Sequence, residues 1–194
     1  MNRRPYSEDF SLEIKKGTRV ALKGESGAGK TTLLRLLLGF EQADAGNIYV
    51  EREPVSENNF ATIRSSTAWL PQDLNIGDGT VEEVINRIFE FRSNRTDKPE
   101  SGKIKNTLEK LGLSDTVFEK SFSNLSTGQR QRVGLTLCHL LDRPLLLLDE
   151  PTSALDRKSK QKAADLLLSD LDRTVISTTH DPFWLEKCDE IVEL

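Results

Sequence analysis

The sequence predicts an α/β fold, a mainly parallel sheet flanked by helices with a helical subdomain set into it. Three observations carry that prediction. Strand-like and helical runs alternate along most of the chain, the pattern of strand–helix–strand crossovers. One run, RPLLLLDE, is apolar without alternation, as in a strand buried on both faces. Residues 73–123 break the pattern with two helical segments and no strand.

Taken in order, FSLEI sets Phe10, Leu12 and Ile14 on one face of a half-buried strand, and TRVALK reads as the next strand. GESGAGK leads into TTLLRLLLGF, an apolar helix that Gly39 can terminate. NIYVE and TAWLP are two more short strands. TVEEVINRIFEF puts Val81, Val84, Ile85, Ile88 and Phe89 on one helical face. NRTDKPESG is a polar loop, and KIKNTLEKLG is a second short helix that stops at a glycine. A helix follows NLSTGQ, then the buried strand, a helix over KSKQKAADLLLSDL, the strand TVISTT and a last strand in DEIVEL. No repeat or low-complexity tract interrupts this order. The 194 residues therefore read as one domain, with its helical subdomain at about 73–123.

Composition weighs against some functions. A net charge of −4 lays down no electrostatic footprint for nucleic acid. The longest apolar run, residues 145–148, is far too short to cross a bilayer. MNRRPYSEDF has basic residues with no apolar stretch behind them, so no secretory signal is expected. Cys138 and Cys188 have no metal-ligand spacing and fit a reducing compartment. The expected location is the cytoplasm, with any membrane role exercised through a partner.

Two constellations carry chemistry. Gly24, Gly29, Lys30 and Thr31 match G-x-x-x-x-G-K-[ST] between a strand and a helix. In such a loop backbone N–H groups curl around phosphates, and the helix N-terminus adds a favourable field. Lys30, expected to be exposed and charge-paired only with ligand, would reach the β- and γ-phosphates, and the Thr31 hydroxyl would ligate Mg²⁺. Asp149 and Glu150 end the buried strand, the edge at which open α/β sheets bind ligands. An Asp there can hold Mg²⁺, and the Glu beside it can deprotonate an attacking water. Alone, two acids at a strand end would as readily be solvated surface.

With those residues in hand, the chain resembles the ATPase subunit of an ATP-binding-cassette (ABC) transporter. The marks run in order across almost the whole length: GESGAGKTT, the Gln of LPQD, LSTGQRQR, LLLLDE, the SALD after PT, and the His of STTHD. The resemblance implies a P-loop NTPase core with an antiparallel β portion and the helical subdomain. It implies ATP as ligand, with Mg²⁺, and phosphate contacts from Gly24, Glu25, Ser26, Gly27, Ala28, Gly29, Lys30, Thr31 and Thr32. Thr31, Gln72 and Asp149 would serve the metal; Glu150 would be the general base, assisted by Gln72 and His180. Asp156 would lie at a dimer interface. Ser126, Gly128 and Gln129 would bind the γ-phosphate of ATP held by a second subunit, in a homodimer or heterodimer. An integral membrane permease subunit would dock on the helical subdomain, holding the protein at the cytoplasmic face of the inner or plasma membrane.

The chain departs from that pattern in places. Thr127 stands where the family usually has glycine. The aromatic residue expected on adenine is Tyr6, at compressed spacing, and the cassette reads as a minimal one without a regulatory domain. Other classes remain open: a soluble ABC ATPase acting on nucleic acid, a P-loop phosphotransferase, or a binding module without hydrolysis. The first usually carries a coiled coil or a second cassette, the second has no use for LSTGQRQR or SALD, and the third would not need Lys30, Asp149, Glu150 and His180. Arg130 and Arg132 read as helix-end and interface chemistry, and His139 as an ordinary helix residue.

Overall fold

The computed structural model describes residues 10–194. Strand β1 (Arg19–Lys23) feeds the glycine-rich turn, and helix α1 (Lys30–Leu37) starts directly from it. Gly39, at φ 63°, ends α1 as expected. Its N–H donates to Leu36 O at 3.0 Å and the Phe40 N–H reaches Arg35 O at 2.9 Å, the paired bonds of a Schellman stop. A two-residue hairpin of β2 (Tyr49–Val50) and β3 (Glu53–Pro54) supplies the antiparallel portion. Helix α2 (Phe60–Ser65) then leads into β4 (Thr67–Leu70).

The insertion follows. Helix α3 (Val81–Glu90) opens with a capping box between Thr80 and Glu83, and α4 (Ser101–Lys110) ends at Gly112. Val81, Val84, Ile85 and Phe89 are fully buried, so the apolar stripe of α3 faces inward as its periodicity requires. Helix α5 (Thr127–Leu140) comes next, then β5 (Leu145–Asp149), α6 (Arg157–Leu167), β6 (Thr174–Thr178), α7 (Pro182–Leu185) and β7 (Glu190–Glu193).

One five-stranded sheet in the order β4-β5-β6-β1-β7, parallel at every pairing, organises the core. β5 is an interior strand between β4 and β6, and its run of leucines divides between the two faces. Leu146 and Leu148 pack with Leu135, Ala163 and Leu167, while Leu147 packs with Val20, Leu34 and Leu38 of the layer containing α1. That is why the run shows no alternation: both faces are dry. α5 serves two cores. Its Leu135 joins the sheet cluster, and its Val133, Leu137 and Leu140 complete the cluster of the insertion. The apolar core of the helical subdomain thus reaches beyond residue 123. Arg132 adds a polar tie between these helices, donating to Gly112 O at 3.0 Å and Leu111 O at 3.3 Å, the helix-end role expected of it.

One expected element is absent. FSLEI is not a strand, although Leu12 and Ile14 do pack against the α1-side cluster of Val20, Leu34 and Leu147. Alternation reports which side chains face the core; it does not supply a hydrogen-bonding neighbour, and none of the described strands pairs with this segment. Conversely, β3, α2 and α7 are too short to show a period in sequence. Among the described residues no helix is long and apolar enough to cross a membrane.

Candidate active site

The loop between β1 and α1 lies at the carboxyl end of the sheet. Gly27 and Gly29 have φ 85° and 92°, a region costly for side-chain-bearing residues. At Gly24 a Cβ would come 2.6 Å from the Leu194 carbonyl oxygen. Lys30 differs from expectation: it is only 8% exposed, and its ammonium donates to Gly24 O at 2.8 Å and Glu25 O at 2.9 Å. The lysine is folded back onto the carbonyls of its own loop, whose hydrogen bonds compensate the burial of its charge. Glu25, Ser26 and Gly27 form the exposed rim, Ala28 N donates to Glu25 O across the turn, and Thr31 and Thr32 occupy the first turn of α1.

The loop and the strand-end acids meet. Thr31 Oγ1 donates to Asp149 Oδ2 at 2.8 Å, and Thr178 Oγ1 donates to Asp149 Oδ1 at 2.5 Å. Asp149 is 2% exposed, so these two hydroxyls are what make its burial tolerable. Thr178, from β6, was not foreseen; it enters because register sets it opposite Asp149. Hydroxyl and carboxylate oxygens are the hard donors that suit Mg²⁺, and no group of three His, Cys, Asp or Glu among the described residues forms a full cage. This donor set fits a Mg²⁺ held by Thr31 and Asp149 with substrate phosphates and water completing it.

Glu150 stands next to it in a left-handed conformation, φ 49°, which is rare outside glycine. Its N–H donates to Thr178 O at 3.1 Å and Thr178 Oγ1 at 3.0 Å. Burial pushes the Glu150 carboxyl above the ordinary glutamate range; His180 and Lys30 pull the other way, and Asp149 adds to the rise. His180 Nε2 lies 3.6 Å from Glu150 Oε1 on an exposed side chain at the end of β6. The next residue, Asp181, accepts from Thr152 Oγ1 at 2.7 Å and pairs with Lys160 at 2.9 Å, tying the loops that carry His180 and Glu150 together. Gln72 is exposed at the same sheet edge, two residues past Leu70, which pairs with Leu148; it hydrogen-bonds to neither Asp149 nor Thr31.

The second expected phosphate site is elsewhere. Ser126 caps α5: its Oγ accepts from Gln129 N at 3.3 Å, while Gln129 Oε1 accepts from the Ser126 N–H at 3.0 Å. None of the hydrogen bonds of Ser126, Gly128 or Gln129 reaches the phosphate loop. Gly128 abuts residues 150–154, where a Cβ would meet Ala154 O at 2.6 Å. Asp156 caps α6 by accepting from Ser159 N at 2.7 Å, a bond that holds its carboxyl below the ordinary range. Tyr6 lies outside the described residues.

A glycine-rich loop on a helix N-terminus, hydrogen-bonded to a carboxylate ending a parallel strand, defines a P-loop NTPase. The sequence model described as ABC transporter matches residues 7–153, and the chain belongs to that family. It is 34% identical over 196 residues to the ATP-dependent lipid A-core flippase of Vibrio parahaemolyticus, covering 97% of this chain and 33% of the flippase. It is 37% identical over 176 residues to the thiamine import ATP-binding protein ThiQ of Haemophilus influenzae, covering 89% of this chain and 80% of ThiQ. The chain spans about a third of the length of the flippases it matches. Among solved structures, the dimeric post-hydrolysis state of the ATP-binding cassette MJ0796 bound to ADP and Pi aligns with a TM-score of 0.80 and 27% identity, over 94% of this chain and 83% of that one. A bacterial Atm1-family ABC exporter with ATP bound aligns with a TM-score of 0.83 and 25% identity, over 97% of this chain and 35% of that one.

Proposed function

We propose that this chain hydrolyses ATP and that two such cassettes close around ATP to drive a membrane-embedded partner. The observation that carries this reading is the Thr31–Asp149 hydrogen bond, with Glu150 in the next position. It joins phosphate loop and strand end into one site, with a carboxylate beside the place where a γ-phosphate would lie. The loop amides and Lys30 bind and orient the phosphates, the ammonium exchanging its carbonyl partners for phosphate oxygens. Glu150 accepts the proton of the attacking water, and its raised affinity for protons suits it to that task. His180 and Gln72 flank the water and the γ-phosphate. Bound Mg²⁺, held by Thr31 and Asp149 with Gln72 nearby, would neutralise developing phosphate charge.

The separation of the α5 start from the phosphate loop favours a site completed in trans. Ser126, Gly128 and Gln129 would meet ATP held by the neighbouring subunit, with Asp156 at the interface. ATP bridging two surfaces contributes free energy to closure, and hydrolysis withdraws it. The dimeric MJ0796 cassette supports that arrangement. The flippase and importer relatives support transport as the work done, with the protein held by its partner at the cytoplasmic face of a membrane and the partner docked on the helical subdomain.

Phosphate release from Mg-ATP, run beside gel filtration of Glu150→Gln, tests the reading. Wild type should release phosphate only with Mg²⁺, and the variant should release little and elute as an ATP-dependent dimer. A variant that turns over ATP normally removes Glu150 from the mechanism; a wild type that neither binds nor hydrolyses ATP overturns the proposal.

A further inference from the structure

Gln131 lies three residues into the turn beyond Gly128, 8% exposed, and none of the phosphate-contact roles above uses it. Its amide spans the loop that follows the catalytic acids. Nε2 donates to Glu150 O at 2.7 Å and stands 3.3 Å from Ser153 Oγ, while Oε1 accepts from Ala154 N at 3.0 Å. One buried side chain therefore grips both ends of residues 150–154. Glu150 needs such a grip. A left-handed φ of 49° at a residue with a Cβ persists only where the surroundings over-determine it. Its N–H is fixed on β6 by Thr178, and its carbonyl is fixed on α5 by Gln131, with Ser153 N and Oγ as local partners at 3.2 and 3.1 Å. Gly128 completes the contact, since only a missing Cβ lets Ala154 O approach α5 so closely.

We infer that Gln131 is a positioning residue: it holds the Glu150 backbone in the conformation that aims the carboxylate at the water, and it fastens that aim to the helix that Ser126 caps. The inference rests on the reading of Glu150 as general base. The side-chain hydrogen bonds of Gln131 go only to Glu150 O, Ser153 Oγ and Ala154 N, so its effect on the chemistry passes through that loop and the Glu150 it carries.

The test is a double-mutant cycle on the full chain. Gln131→Met keeps length and apolar bulk and removes all three side-chain hydrogen bonds. Gln131→Glu keeps an acceptor for Ala154 N and removes the donor to Glu150 O and Ser153 Oγ, so it carries the test if the Met variant does not fold. Either variant should bind ATP within about twofold of wild type and keep its KM, while kcat falls about ten- to a hundredfold, the scale of a misaimed catalytic group. In the Glu150→Gln background the same substitutions should lower residual turnover by less than about twofold, because the group being aimed is gone. A merely structural role would weaken ATP binding or multiply with Glu150→Gln; either result overturns the inference, as does an unchanged kcat. Normal turnover by Glu150→Gln alone would instead overturn the general-base reading, and that arm is measured separately.

Discussion

His180 Nε2 stands 3.6 Å from Glu150 Oε1, beyond hydrogen-bond length but close enough to bias which form of the carboxyl is favoured. Burial raises the Glu150 pKa, and the His180 and Lys30 charges partly counter it. As the proposed general base Glu150 must be ionised to accept a proton, so kcat should fall as pH drops through a pKa above the ordinary glutamate range. Removing the counterweight with His180→Ala should move that acid limb to higher pH. A limb that stays in place in the variant would contradict the electrostatic account.

The same shift has a consequence for stability. A carboxyl whose folded pKa lies above its unfolded one stabilises the fold when protonated, and that contribution is lost as pH rises through the folded pKa. At neutral pH the half-buried charge is therefore a burden. Glu150→Gln should melt higher than wild type at pH 7, by an amount kept small by solvent screening. The gap should close below the folded pKa. Equal melting temperatures at every pH would show that burial does not act on Glu150.

Lys30→Ala should weaken ATP binding at least about tenfold, through loss of charge-assisted phosphate contacts. It should also destabilise the ligand-free protein by about 1–3 kcal/mol, because Gly24 O and Glu25 O lose their buried donor. Fluorescent-ATP titration and thermal melting separate the two effects. A variant that melts as wild type does would restore the picture of an exposed lysine.

Much of this site is legible in sequence because its parts are local. The P-loop spacing names Lys30 and Thr31 directly, and RPLLLLDE announces a buried strand with acids at its end. Thr178 stays hidden, since it meets Asp149 only through the β5–β6 register, 29 positions away. Gln131 stays hidden for a similar reason: nothing in LSTGQRQR tells which glutamine turns inward until the loop 150–154 is in place. FSLEI misleads because its alternation is real, with Leu12 and Ile14 inward, while a ladder partner is something alternation cannot encode. Lys30 misleads because charge suggests solvent, and the carbonyls that bury it belong to its own loop.

Charge and apolar changes on the exposed tip of the insertion should separate transport coupling from hydrolysis. Phe91 is 56% exposed where α3 ends, with Arg92 exposed beside it. Phe91→Asp combined with Arg92→Glu should lose the membrane partner in a pull-down while basal phosphate release stays within about twofold, as exposed changes distant from the site do little to the fold. Retention of the partner at wild-type levels would place docking on another face.

The claim at the centre of this account is that the α5 start completes a neighbour's site and not its own. Ser126→Arg in the monomer measures that most directly. The bulky side chain removes the cap of α5, at about 1 kcal/mol of stability, and blocks any phosphate approaching the helix start. With the ATP affinity of the monomer measured by titration and turnover measured at high protein concentration, the account predicts a Kd within about twofold of wild type and hydrolysis lowered at least about a hundredfold, the loss expected when transition-state phosphate contacts are removed. A monomer whose Kd for ATP rises tenfold or more, with its fold intact by melting, would show that Ser126 meets its own nucleotide, and would contradict the claim.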